Sequence, residues 1–334
     1  MAYTDYNSTM TRPHWAGANA DIDIHRELWE GEIDGSFRAM SLFRESGLTN
    51  YKQVAHASNT WRGDRIGGIE VKGRKSGEAL DQVRIPNEKF IITVDTTSYA
   101  SSVVDYQDDW TAPDFRPSHV FEHGNAHSKT FDTAHIIKLI HAAQWKAPTS
   151  LTNFSDGIYD SSSVTAWDGG GDYSKDAAAI VKAHAKACET FVKRDLGGSL
   201  AEFITLCKPE IFSRLLEHNK LMNVQFTENT GAGNNYAQRR VAIINGIRII
   251  ETPRFPTSAI SDHILGPSFN VTANEAKVGM LIFHPRQTLV TVEAQPMTVR
   301  YWDHMSQFAN RLDSYCMYTV GVRRGDACCA IQMP

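Results

Sequence analysis

The sequence has no long apolar run, no large excess of charge of either sign, and few cysteines. No segment approaches the ~18 consecutive apolar residues that a membrane-spanning helix needs. The formal net charge of the 334 residues is −4, whereas a dedicated nucleic-acid-binding protein is usually basic. Hydrophobic residues make up 42% of the chain, which excludes a wholly disordered or collagen-like protein. The length predicts one elaborate domain or two domains.

Cysteine usage and the N-terminal residues both point to a reducing compartment. The five cysteines are odd in number and irregularly spaced, and Cys328 and Cys329 are adjacent, which suits neither a zinc knuckle nor an ordinary disulfide. Residues 1–20 lack the basic and apolar regions of a signal peptide. We therefore expect a soluble protein that is made in a cytoplasm, with no membrane partner.

The spacing of apolar residues predicts a mixed α+β fold without regular alternation of strands and helices. Three helices with recognisable start or stop signals are predicted. The first is a long one at 118–146, the second begins with Ser174 as N-cap and ends at the glycine pair 197–198, and the third begins at Pro209.

Strands are predicted where apolar and polar residues alternate. Asn245 and Gly246 lie between two apolar runs, which predicts a hairpin with a type I′ turn. Residues 303–313 are expected to be helical. The other predicted strands are 89–94, 200–207, 278–283, 288–292, 297–301 and 315–322.

Two segments offer more contact surface than a monomer needs. Residues 1–20 are polar but contain Tyr3, Tyr6 and Trp15, which need a surface to pack on. Residues 54–95 are charged and rich in glycine, and we interpret them as a long two-stranded excursion that is polar on both faces. Such a hairpin is marginal alone, so both segments favour a protein whose neighbouring copies supply the missing surface.

One short motif suggests an enzyme instead. His119, Glu122 and His123 fit the H-x-x-E-H pattern, in which two imidazoles one helical turn apart hold Zn²⁺ and the glutamate polarises a water molecule. His127 extends the row. The alternative is a helix that carries exposed histidines, and that alternative is favoured because short motifs match by chance in a chain with 13 histidines.

Several motifs, in their order along the chain, resemble the major capsid proteins of short-tailed (podovirus) bacteriophages, which have the HK97-like fold. The similarity runs from about residue 24 to 325, and stretch 151–173 fits it least. The motifs are FRAMSLFR at 37–44, GEALD at 77–81, IITVD at 91–95, VVDYQDD at 103–109, CKPEIF at 207–212 and VAIINGIRIIETP at 241–253.

The resemblance implies a division of the chain into the parts of that fold. An N-terminal arm would comprise 1–50 and an extended loop, the E-loop, 51–95. The P-domain would comprise 96–175 and 276–334, with a long spine helix at 118–146. The A-domain would comprise 176–275.

The resemblance also implies a function. Homo-pentamers and homo-hexamers of such proteins assemble in the host cytoplasm into an icosahedral virion shell around packaged double-stranded DNA, without sequence-specific binding. Scaffolding and portal proteins are implied as partners, and a cement protein is a further candidate. An encapsulin-like cellular compartment with the same fold is an alternative that the order of the motifs disfavours. No cofactor, metal or catalytic residue is implied.

Assembly would place the E-loop of one subunit over the P-domain of the next. Charged side chains of the E-loop are then the candidates for contacts between subunits, although single exposed ion pairs contribute only ~0–1 kcal/mol each. These candidates are Arg62, Arg65, Lys72, Arg74, Lys75 and Glu78.

Overall fold

The computed structural model describes most of the chain beyond residue 40. The described residues are 41–45, 47–54, 58–80, 82–107, 116–161, 164, 173–196, 200–218, 221, 234, 239, 241, 243–304 and 308–334. Most of the predicted arm at 1–50 lies outside these ranges, including the aromatic residues noted at 1–20. Much of stretch 151–173 lies outside them as well.

Four α-helices lie in the described part of the chain. The long helix predicted at 118–146 is confirmed as α2, which begins two residues earlier and ends three residues earlier. One face of α2 is closed to solvent, with Ile136, Ile137 and Ile140 fully buried. The helices are α1 (Leu42–Glu45), α2 (Arg116–Ala143), α3 (Tyr173–Lys193) and α4 (Pro209–Leu215).

Helix α3 ends differently from the prediction. The helix stops at Lys193, before the glycine pair 197–198, because Asp195 adopts a left-handed backbone with φ of 52°. The amide of Asp195 donates to the carbonyl of Val192, and the amide of Leu196 donates to that of Phe191. These two bonds form a Schellman motif, so an aspartate takes the position that glycine usually holds.

Twelve strands form three sheets in the described residues. Their strand orders are β1-β10-β11-β4, β5-β12-β9-β6-β8-β7 and β2-β3. The strands are β1 (Asn50–Gln53), β2 (Thr60–Ile66), β3 (Asn87–Thr93), β4 (Thr97–Asp105), β5 (Ile158–Asp160), β6 (Ile204–Cys207), β7 (Ile243–Ile244), β8 (Ile247–Glu251), β9 (Val278–Phe283), β10 (Leu289–His304), β11 (Ala309–Val322) and β12 (Cys328–Gln332).

The six-stranded sheet and its helices hold the largest apolar core. Strand β9 lies between β12 and β6 and is buried at every position. Phe191 of α3 stacks on Phe203 with ring centroids 4.7 Å apart. At one edge, Asn245 and Gly246 have φ of 51° and 80°, so both residues are left-handed as a type I′ turn requires, and the predicted hairpin is confirmed.

Three of the predicted elements differ from those in the structure. The helix predicted at 303–313 was wrong over the described residues, because β10 runs to His304 and β11 begins at Ala309. Met305, Phe308 and Leu312 have helical spacing in the sequence, but the alternating burial of β11 starts within this stretch. The strands predicted at 288–292 and 297–301 are one strand, β10. The strand predicted at 200–207 starts only at Ile204 and follows a 3₁₀ turn.

The described chain divides into two compact units. The first comprises 99–128 and 297–315, and the second comprises 41–98, 129–296 and 316–334. Each is built from segments distant in sequence. No helix in the described ranges is both long enough and apolar enough to cross a membrane.

Candidate inter-subunit contact site

The glycine-rich, charged segment forms the predicted two-stranded excursion. Strands β2 and β3 pair antiparallel, from Thr60 opposite Thr93 to Ile66 opposite Asn87. We call these paired strands the ladder. The ladder ends at a hydrogen bond from the amide of Gly67 to the carbonyl of Pro86, 2.8 Å long.

The prediction that this hairpin is polar on both faces was wrong. One face of the ladder packs on its own subunit, where Ile92 joins a buried cluster with Val290 and Val292 of β10, and Trp61 and Phe90 pack against that cluster. The aromatic residues were visible in the sequence. Glycines interrupt the alternation around them, however, so the period of two was easy to miss.

Arg65 is buried within its own chain, with a residue exposure of 9%. Its Nε donates to the carbonyl of Arg323 at 2.7 Å, and its NH2 group donates to that of Val322 at 3.0 Å. The guanidinium carbon lies 4.4 Å from the ring centroid of Phe90 and 5.2 Å from that of Trp145. Burial lowers the pKa of this guanidinium. The structure therefore gives Arg65 a role inside the subunit.

Beyond the ladder, the chain extends without a core of its own. We call residues 67–86 the tip. Residues 69–80 and 82–85 are all exposed, and Val71 has an exposed fraction of 99%. Large exposed apolar side chains recur along the tip at Ile69, Val71, Leu80, Val83 and Ile85. The contact candidates predicted from the sequence were charged residues only, and these five apolar residues were not among them.

The charges of the tip cluster around one turn. The amide of Glu78 donates to the carbonyl of Lys75, and the Lys75 amide donates to the Glu78 carboxylate at 3.1 Å. Gly77 has φ of 94°, a left-handed conformation that suits glycine at the third position of such a turn. Arg74 Nε donates to the Glu78 carbonyl. Lys72 is exposed nearby.

The six charged candidates therefore fall into three places. Arg74, Lys75 and Glu78 share the turn, and Lys72 lies close to it in sequence. Arg62 is exposed on the outward face of β2, while Arg65 points inward from the same strand. All of these candidates except Arg65 are exposed to solvent.

His123 of the H-x-x-E-H motif and His127, which extends its row, form hydrogen bonds with serine hydroxyls. His123 Nδ1 is 2.8 Å from the Ser314 hydroxyl, and its Nε2 is 3.0 Å from the Ser102 hydroxyl. His127 Nε2 is 3.0 Å from the same Ser314 hydroxyl. The side chain of His119 lies outside the described residues. Within the described residues, no group of three or more His, Cys, Asp or Glu side chains is placed to hold a metal ion.

Comparison with solved structures finds phage capsids. The chain is 42% identical to a chain of the bacteriophage PhiM1 mature capsid, with all of both chains covered and a TM-score of 0.80. It is 17% identical to a chain of the capsid of the cyanophage P-SCSP1u, with 88% of each chain covered and a TM-score of 0.73. A chain from Mycobacterium phage Che8 is 15% identical, with 88% of this chain and 91% of that chain covered and a TM-score of 0.60. No protein-family model matches, and no curated protein matches.

The fold and the projecting hairpin define a structural shell protein with the HK97-like fold, so the predicted α+β class is confirmed. The full-length similarity to the PhiM1 capsid then places the chain within that class. The chain belongs to the family of bacteriophage capsid proteins. Its role is structural rather than enzymatic, and its place is the virion. The zinc-hydrolase alternative was wrong.

Proposed function

We propose that the chain is the major capsid subunit of a short-tailed phage. It forms pentamers and hexamers that close into an icosahedral shell around packaged double-stranded DNA. The observation that carries the proposal is the 42% identity to a mature phage capsid chain over the full length of both. An encapsulin-like cellular compartment is disfavoured because that similarity is to a virion.

In the proposed assembly, the tip of one subunit lies on the P-domain of the next. The five apolar side chains of the tip are exposed in the described part of their own subunit. Burying them against a neighbour stabilises the contact by about 25 cal/mol per Å² of apolar surface removed from water. Arg62, Lys72, Arg74, Lys75 and Glu78 add charge pairing that sets register more than strength.

Small contacts suffice in this proposal because each is repeated around a closed shell. The tip carries four basic residues, Lys72, Arg74, Lys75 and Arg84, against three acidic ones, Glu70, Glu78 and Asp81. It is therefore slightly basic on a chain whose net charge is −4. This difference favours attraction between a tip and the acidic remainder of a neighbouring copy.

We assign the parts of the chain as the resemblance implies: arm at 1–50, E-loop at 51–95, P-domain at 96–175 with 276–334, and A-domain at 176–275. Within the E-loop, the ladder packs on the body of its own subunit and the tip contacts the neighbouring subunit. Assembly takes place in the host cytoplasm with scaffolding and portal proteins and, as a further candidate, a cement protein.

The proposed shell encloses DNA without binding it tightly. A strongly basic lining would hold DNA by counterion release and would oppose its ejection. The acidic balance of the chain is consistent with packaging that needs no sequence-specific contact.

Electron microscopy of the purified chain, with native mass spectrometry, tests the proposal. We expect pentamers, hexamers and closed shells of uniform diameter, with scaffolding protein added where closure requires it. A chain that stays monomeric at high concentration under both conditions would overturn the proposal. Nuclease-resistant double-stranded DNA in shells from infected cells tests the packaging role separately.

A further inference from the structure

The contacts of Arg65 join three segments that are far apart in the sequence. Its side chain leaves β2, donates two hydrogen bonds to consecutive carbonyls at the end of β11, and lies against Trp145 just beyond α2. Glu88 of β3 approaches the same guanidinium at 4.0 Å. A planar guanidinium suits this position because it donates in two directions while its faces contact aromatic rings.

A second set of contacts holds the same end of the ladder. Asn153 Nδ2 donates to the carbonyl of Ile66 at 3.4 Å, and Arg324 NH2 donates to the carbonyl of Asn153 at 3.3 Å. Arg324 also lies over the ring of Phe154 at 4.5 Å. The loop that contains Asn153 therefore supports the last residue of β2 beside the site of Arg65.

Contact with the subunit body ends a few residues beyond Ile66. Gly67 is buried, Gly68 and Pro86 are half-buried, and every described residue at 69–85 is exposed. The change coincides with the hydrogen bond between Gly67 and Pro86. The part of the hairpin that its own subunit supports and the exposed part thus meet near Gly67 and Pro86.

We propose that Arg65 is the positioning residue that fixes the ladder to its own subunit, so that the tip turns about Gly67 and Pro86. Copies at different shell positions then differ in the direction of the tip and share one ladder geometry. The consequence for the shell rests on the proposed function. The anchoring itself is a property of the isolated chain.

Amide hydrogen exchange on the unassembled chain tests the anchor. The variant is Arg65→Met, which keeps the length of the side chain and removes the donors. The matched control is Arg62→Met, the same change on the outward face of the same strand. Because the loss of hydrogen bonds from a charged donor weakens the hold on the paired strands, we expect ladder amides to exchange at least about tenfold faster in Arg65→Met. In the control, the rates stay at those of the wild type.

Exchange in β9 reports whether the whole subunit has opened. With β9 rates unchanged, equal ladder rates in Arg65→Met and Arg62→Met would overturn the proposal. If β9 opens as well, Arg65→Lys replaces Arg65→Met, because it keeps the charge and loses the planar fork. Faster ladder exchange in Arg65→Lys then supports the anchor, and unchanged exchange refutes it.

The same data locate the turning point. In the wild type, protection should stop at Gly67 and resume at Asn87. Protection that continues evenly through 69–80 would overturn the assignment of Gly67 and Pro86. None of these measurements requires assembly, so a failure to form shells bears on the proposed function alone.

Discussion

The ladder and the tip are continuous in sequence and similar in composition, yet they depend on different molecules. Both contain glycine, charge and β-branched apolar residues. The ladder buries Ile92 and half-buries Trp61 and Phe90 on its own subunit, whereas Val71 in the tip is fully exposed. Exposed apolar surface in a soluble protein usually marks an interaction site. The difference therefore separates the part of the hairpin that belongs to the subunit from the part that needs a neighbour.

The largest expected effect follows from placing charge on the apolar surface of the tip. The double substitution Val71→Asp and Leu80→Asp should abolish closed shells, because each carboxylate would lose its hydration in an apolar contact that every copy repeats. The melting temperature of the subunit should stay within about 2 °C of the wild type, since both side chains are exposed in the subunit. Sedimentation velocity and thermal circular dichroism measure the two quantities.

The matched control is Val71→Ile with Leu80→Met, which keeps the surface apolar. This variant should form shells. Shell formation by the aspartate variant at wild-type yield would show that the tip contacts nothing in the assembly.

Trypsin should distinguish the tip from the ladder in the unassembled chain. We expect the first cuts at Lys72, Arg74 and Lys75, because cleavage requires exposed chain that can open locally. Cuts at Arg62 and Lys89 should be at least about tenfold slower, since the paired strands must open first. Mass spectrometry of early fragments gives the order, and early cleavage within the ladder would contradict the distinction.

Substitutions at two glycines compare how tightly the ladder and the tip are packed. Gly321 of β11 lies under the ladder, and a Cβ atom there would come within 2.6 Å of Ile92 Cγ1. Gly321→Ala should therefore lower the free energy of unfolding by ~1–3 kcal/mol. In the tip, a Cβ atom at Gly73 would meet nothing within 4 Å, so Gly73→Ala should change it by less than ~0.5 kcal/mol. Urea unfolding measures both, and equal effects would refute the difference.

A dependence on pH is expected that belongs to the body of the subunit. Burial lowers the pKa of His135 and of His184 to about 4, so both are neutral in the folded chain at pH 5. The unfolded chain binds protons there, because its histidines titrate near pH ~6.5. Stability should thus fall as pH drops from about 6.5 toward 4, by ~1–2 kcal/mol for each histidine between pH 7 and pH 5.

Urea unfolding at pH 7 and pH 5 measures this loss. His184→Gln should reduce it, since glutamine can still hydrogen-bond to Thr205, which lies 3.0 Å from His184 Nε2. The variant with Val71→Asp and Leu80→Asp should lose as much stability between pH 7 and pH 5 through its histidines as the wild type does. An identical loss in His184→Gln would rule out this origin.

Local signals predicted those elements whose cause is local. The turn at Asn245 and Gly246 depends on two residues that tolerate a left-handed backbone, and α2 follows from a long apolar stripe that precedes Pro148. The end of α3 was missed because an aspartate took the position of glycine. The stretch 303–313 was missed because helical spacing and strand alternation overlap there.

The assignment of the contact residues was limited by long-range structure. The hydrogen bonds of Arg65 reach carbonyls 257 and 258 positions away, and nothing in the sequence marks that pairing. From sequence, Arg62 and Arg65 were equivalent arginines on one strand. The exposure of the apolar side chains in the tip likewise follows from the fold, because no segment within the described ranges covers them.

Cysteine labelling at Val71 tests most directly whether a neighbour covers the tip. The five native cysteines are all buried, so a Val71→Cys variant reports on one added thiol. Maleimide should label this thiol rapidly in the unassembled subunit and at least about tenfold more slowly in closed shells, because burial limits access to it. Equal labelling rates in subunits and in closed shells would contradict the account.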